Sequence, residues 1–166
     1  MSVRIDQHDG ADLIGVSLRT SVRDGRNQRD ITAAWQAVIA EDKLAAIPGR
    51  IGAPYPFYGV VYDFDPDTTD FSYLIGVPVT AGSVAPAGFV ALQLAPARYA
   101  VLTTEPTASE ADFIGAIQQG WPAIMAWLNA SEYTHSGTSE FEYYDERGEP
   151  GRSDRTMEIW LPIQPK

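Results

Sequence analysis

Two stretches of this 166-residue chain repeat one strand pattern, with Ile75 and Pro78 of the first matched by Ile159 and Pro162 of the second. Tyr73-Leu74-Ile75-Gly76-Val77-Pro78-Val79 lies against Met157-Glu158-Ile159-Trp160-Leu161-Pro162-Ile163 at an offset of 84, and Tyr62-Asp63 against Tyr144-Asp145 at an offset of 82. Self-similarity at such a period marks two related units, each too small to bury its own apolar face. The pattern predicts one domain over residues 1–166, with repeats at about 13–80 and 88–164. The predicted fold class is α+β: duplicated β-α-β-β halves form a curved antiparallel sheet with helices packed on it. A ligand cleft is expected where the halves meet.

Local patterns supply the elements. Ile14, Val16 and Leu18 alternate with Gly15, Ser17 and Arg19, so residues 13–20 read as a strand. Asp30 is the expected N-cap of a helix reaching Asp42, whose stripe is Ile31, Ala34, Trp35, Val38 and Ile39. Strands are expected over 58–64 and 71–79, joined by the acidic turn 63–70, then over 89–94 and 99–104. Thr107 and Glu110 form a capping box ahead of the stripe Phe113, Ile117, Trp121, Ile124, Leu128, with a kink expected at Pro122. Strands over 140–145 and 156–163 close the second half.

Composition removes several classes of function. Without cysteine there is no disulfide, thiolate ligand or thiol nucleophile. A formal charge of -10 repels nucleic acid, and the cluster Arg19, Arg23, Arg26, Arg29 is diluted by Asp24 and Asp30. No apolar run spans a bilayer and no leader is visible, so neither membrane contact nor export is expected and the location expected is cytoplasmic. Asp63, Asp65, Asp67 and Asp70 do not make a calcium hand, because its glycine and glutamate positions hold Thr68 and Leu74. His8 and His135 lack partners at zinc-ligand spacing and are expected at the surface; no metal or cofactor is expected.

The ordered set of motifs resembles the GyrI-like, AraC-type effector-binding superfamily. The resemblance rests on Tyr58-Gly59-Val60-Val61-Tyr62-Asp63, Phe71-Ser72-Tyr73-Leu74-Ile75-Gly76-Val77, Pro96-Ala97-Arg98-Tyr99, Phe141-Glu142-Tyr143-Tyr144-Asp145 and Glu158-Ile159-Trp160-Leu161-Pro162-Ile163. Within the superfamily it is most similar to stand-alone, integron-associated members. It implies a module that senses lipophilic, often cationic, compounds, with any transcriptional regulator or other protein partner on a separate chain. Some relatives are hydrolases of strained electrophilic rings and others act on DNA gyrase, so a hydrolase or a protein-interaction module are the alternatives to a binding protein.

Glu142 matches the family's acidic ligand residue and stands in a strand otherwise built of aromatics. A carboxylate there needs a positive partner or a raised pKa, and a ligand cation can be that partner. Its other readings are a solvated edge glutamate, or one hydrogen-bonded to a tyrosine. Tyr58, Tyr62, Tyr99, Trp121, Tyr144 and Trp160 are the expected walls, although Trp35 and Trp121 also lie on core stripes. In the last strand Met157, Ile159, Leu161 and Ile163 share one face. Glu158 shares the other with Trp160 and is expected in solvent, with a second acidic site as the alternative. A hydrolase would use Glu142 to activate water, with a tyrosine or tryptophan donor facing it.

Overall fold

The structure, a computed structural model, describes residues 2–166. In chain order its main elements are β1 (Ser2–His8), β2 (Ala11–Ser21), α1 (Arg26–Ala40), β3 (Phe57–Tyr62), β4 (Asp70–Pro78), β5 (Val90–Leu94), β6 (Ala97–Thr103), α2 (Glu110–Ala130), β7 (Tyr133–His135), β8 (Glu140–Tyr144) and β9 (Glu158–Pro165). They form two units: Ala11–Leu94, and Ala95–Lys166 together with the segment up to Gly10. Both are α+β, with an antiparallel sheet and one long helix against it.

In the unit Ala11–Leu94 the sheet order is β3-β4-β2-β5. In the other it is β8-β9-β6-β1, with β7 also on β9. Each sheet is thus built on a β-α-β-β run with an edge strand added from outside it, the second run also carrying the short β7, and the added strands are exchanged. β1 precedes the run that starts with β2 yet pairs with β6; β5 precedes the run that starts with β6 yet pairs with β2. Alternation of Val3 and Ile5 with Arg4 and Asp6 is the local signal for β1, an element outside the expected halves.

Each helix covers one face of its own sheet. Ile31, Ala34, Trp35 and Val38 of α1 pack on Ile14, Val16, Leu18, Phe71, Tyr73, Ile75 and Val77, and the Trp35 Nε1–H donates to Tyr73 Oη at 3.0 Å. Phe113, Ile117, Trp121, Ile124 and Leu128 of α2 pack on Ala100, Leu102, Ile159, Leu161 and Ile163. Burying a large apolar side chain of this kind contributes about 1.5–3 kcal/mol. These stripes hold each sheet to its helix. Among the described residues no helix is long and apolar enough to cross a membrane.

The helix starts differ from expectation for identifiable reasons. α1 begins at Arg26, behind Gly25 at φ 65, because the glycine turns the chain one helical turn earlier than Asp30. Asp30 instead accepts from Thr20 Oγ1 at 2.8 Å. Thr107 is held in a two-way backbone bridge with Arg155, which delays α2 until Ser109. The Ser109 side chain is the N-cap and accepts from the Asp112 N–H at 3.1 Å. Glu110 pairs with Arg155, at 2.5 Å, rather than closing a capping box. α2 runs as one element through Pro122.

Gly15 and Gly76 face each other across β2 and β4. A Cβ at Gly15 would lie 2.0 Å from the Ile75 carbonyl oxygen and 2.5 Å from the Gly76 Cα, both backbone atoms that cannot step aside. Gly115, within α2, has open space around it. Gly15→Ala is expected to destabilise the chain by about 3 kcal/mol or more. Gly115→Ala should leave stability unchanged or raise it by about 1 kcal/mol. Urea midpoints of the two variants check both.

Candidate functional site

The hairpin β8–β9 carries the acidic groups, and its register decides which way each one points. Phe141 stands opposite Trp160, Glu142 opposite Ile159, and Tyr143 opposite Glu158. Opposed residues of an antiparallel pair share a face. Ile159 lies under α2, so Glu142 is on the α2 side. Phe141, Tyr143, Glu158 and Trp160 are on the reverse. Continuing the register through β6 and β1 adds Tyr99, Val101 and Arg4 to that reverse face.

On the α2 side Glu142 is only 5% exposed. Tyr144, two residues on and therefore on the same face, donates its hydroxyl to Glu142 Oε2 at 2.5 Å. Of the alternatives for Glu142, solvent exposure is excluded and a tyrosine hydrogen bond is present. Tyr144 and Trp121 both pack against the aliphatic cluster under α2. A buried carboxylate, a phenol donor and an indole therefore share one apolar surface.

Glu158 corrects the expectation most. It is 4% exposed, not turned to water. It accepts from Arg4 Nη1 at 2.9 Å, Arg147 Nη1 at 3.2 Å and Trp160 Nε1 at 3.0 Å. Arg147 also donates Nε and Nη2 to Asp145, at 2.9 and 2.8 Å. Burial alone would raise the Asp145 carboxyl, but these hydrogen bonds outweigh it and hold its pKa below the usual range. Burying Glu158 without such donors would cost several kcal/mol.

Aromatic rings cluster beside Glu158 on the reverse face. Phe141 and Trp160 stack at 5.4 Å, and Tyr99 meets them edge-on at 5.2 and 5.6 Å. His8, expected at the surface, is edge-on to Phe141 at 5.2 Å and to Trp160 at 5.5 Å, because β1 delivers it there. Its Nδ1 accepts from the Gly10 N–H at 3.0 Å. Burial lowers the His8 pKa, against the opposing charges of Asp9 and Asp6.

The expected site residues thus divide. Glu142, Tyr144 and Trp121 share the α2 face, whereas Tyr99 and Trp160 lie behind the sheet. Tyr58 and Tyr62 belong to the other unit, on the face away from α1. Tyr58 is buried there, and the Tyr62 hydroxyl lies 2.6 Å from Ser17 Oγ. Phe141, Arg4 and Arg147 went unrecognised in the sequence. One signal was available: Glu142-x-Tyr144 and Glu158-x-Trp160 both place an aromatic donor two residues after a glutamate, the spacing that lets them bond along one strand face.

Burial pushes the Tyr99 hydroxyl up to about 12. An unfolded tyrosine ionises near pH 10, so Tyr99 binds its proton more tightly in the folded chain. Its contribution to stability is complete below about pH 10 and falls as pH rises from there towards 12. Ultraviolet titration should show a late-ionising tyrosine that is absent in Tyr99→Phe.

The family model described as integron-associated effector binding protein matches residues 4–163. No curated protein gives a match. Among solved structures, SAV2435 bound to tetraphenylphosphonium superposes with a TM-score of 0.77 at 20% identity, over 99% of this chain and 94% of that one. An integron cassette protein from the mobile metagenome of Vibrio cholerae gives 0.67 at 17% identity, over 98% of this chain and 95% of that one. EcmrR in its DNA complex gives 0.70 at 11% identity, over 99% of this chain but 58% of that one.

Proposed function

Because the chain belongs to the integron-associated effector binding protein family, we propose that it captures lipophilic cations at Glu142, on the α2 side of β8. The observation that carries this reading is a carboxylate only 5% exposed, bonded by the Tyr144 hydroxyl and on the same apolar face as Trp121. A cation brought by a ligand meets that charge in a poorly hydrated setting, where attraction is several times stronger than in water. A carboxylate offers roughly four acceptor positions, so Tyr144 and a cation can engage it together.

Apolar walls explain the lipophilic half of the specificity. Trp121 and Tyr144 present ring surface, and each ring facing a cation adds roughly 0.5–2 kcal/mol. Micromolar binding needs about 8 kcal/mol, which one desolvated ion pair, two rings and buried ligand surface can supply. The net charge of -10 draws cations towards the chain from a distance. SAV2435, which shares this fold, is itself bound to tetraphenylphosphonium, and that supports the same ligand class here.

Tetraphenylphosphonium is the direct probe. It should raise the melting temperature saturably, with about 2.7 kcal/mol of added stability at a hundredfold excess over Kd. Glu142→Gln, which keeps the shape and removes the charge, should weaken binding at least tenfold. No shift in the natural chain, or an equal shift in Glu142→Gln, would refute the assignment.

A further inference from the structure

The reverse face of the same sheet repeats the ingredients of a cation site, but there the chain supplies the occupants. Glu158 is 4% exposed and Trp160 is 8% exposed, and Trp160 donates to Glu158. Phe141 stacks on Trp160, and Tyr99 closes the cluster edge-on. Into this surface β1 delivers two planar nitrogen groups. The Arg4 guanidinium bonds Glu158 at 2.9 Å and lies 5.6 Å from the Trp160 ring centre. The His8 imidazole fits among Tyr99, Phe141 and Trp160.

We propose that Glu158, Trp160, Phe141 and Tyr99 form a second site, specific for planar aryl guanidinium or amidinium cations, which β1 keeps filled with Arg4 and His8. Two observations make the occupants exchangeable while the receptor is fixed. The receptor residues lie on β6, β8 and β9, and Arg147, anchored by Asp145, holds Glu158 from the other side. Among the described residues β1 is an edge strand paired with β6, and five of its seven residues, Ser2 and the run Arg4–Gln7, are exposed. The Arg4 side chain itself is 46% exposed although its partner Glu158 is buried. When Arg4 leaves, Arg147 and Trp160 still donate to Glu158, so the departure orphans no buried carboxylate. Fraying of β1 would uncover a buried carboxylate beside an indole, and a planar cation can replace Arg4 bond for bond. The guanidinium fork suits this exchange better than an ammonium, because it stacks on the indole while donating to the carboxylate. This inference does not depend on the Glu142 reading, since the two carboxylates point to opposite faces of the hairpin.

The test is calorimetric titration of phenylguanidinium into Glu142→Gln, which lacks the carboxylate of the α2 side, and into Glu142→Gln/Arg4→Ala/His8→Ala, with folding checked by circular dichroism. The triple variant should bind at least tenfold more tightly than Glu142→Gln, and neutral phenylurea should not bind. Adding Glu158→Gln to the triple variant should cost at least tenfold. If the alanine variant does not fold, Arg4→Gln keeps part of the stem and should show the same gain. Equal affinity in the closed and opened chains, or affinity that survives Glu158→Gln, overturns the proposal. Failure of tetraphenylphosphonium to sense Glu142 would leave these outcomes unaffected, so the two readings fail separately.

Discussion

β9 is buried from both sides, and the rest of the second unit is arranged around that constraint. Six consecutive residues, Glu158 to Ile163, are out of solvent. Ile159, Leu161 and Ile163 fit under α2 at the cost of nothing more than packing. Glu158 and Trp160 point the other way and bring a charge and an N–H with them. A central strand tolerates such groups only when each finds a partner, since an orphaned buried carboxylate costs several kcal/mol. The structure satisfies them with each other, with Arg147, and with Arg4 of β1. The neighbouring β8 solves the same problem on the opposite face with Glu142 and Tyr144.

Exchange of edge strands then links composition to topology. Arg4 and His8 reach the reverse face because β1 pairs with β6 rather than with β2, the strand that follows it in sequence. The reciprocal pairing of β5 with β2 gives the Ala11–Leu94 unit an edge of the same kind. A segment from outside each β-α-β-β run therefore completes that run's sheet. In the second unit that segment also provides counter-charge.

Much of the fold was legible because its signals are local. Alternation of Ile14, Val16 and Leu18, the stripe of Phe113, Ile117, Trp121, Ile124 and Leu128, and the repeated strand at 73–79 and 157–163 each report one element without knowledge of any partner. Register was harder. Glu142 and Gly59 stand opposite the equivalent Ile159 and Ile75, an offset of 83, so Tyr144 occupies the place of Val61 rather than that of Tyr62. A one-residue slip exchanges faces. The same slip moves Tyr62, and with it Tyr58, two residues either side of Val60, to the face away from α1, whereas Tyr99 and Trp160 are strand aromatics whose face only the pairing of β6, β8 and β9 reveals. Burial of Glu158 was illegible for another reason: its partners Arg4 and Arg147 lie 154 residues before it and 11 residues before it, and no spacing rule joins them.

The central claim is that the α2 face of β8, through Glu142, is where a lipophilic cation is held. A crystal structure of the chain with tetraphenylphosphonium tests it most directly. The phosphorus is expected beside the Glu142 carboxylate, with phenyl rings against Trp121 and Tyr144 and Arg4 still bonded to Glu158. Ligand density on the reverse face, or anywhere that leaves Glu142 untouched, would contradict it.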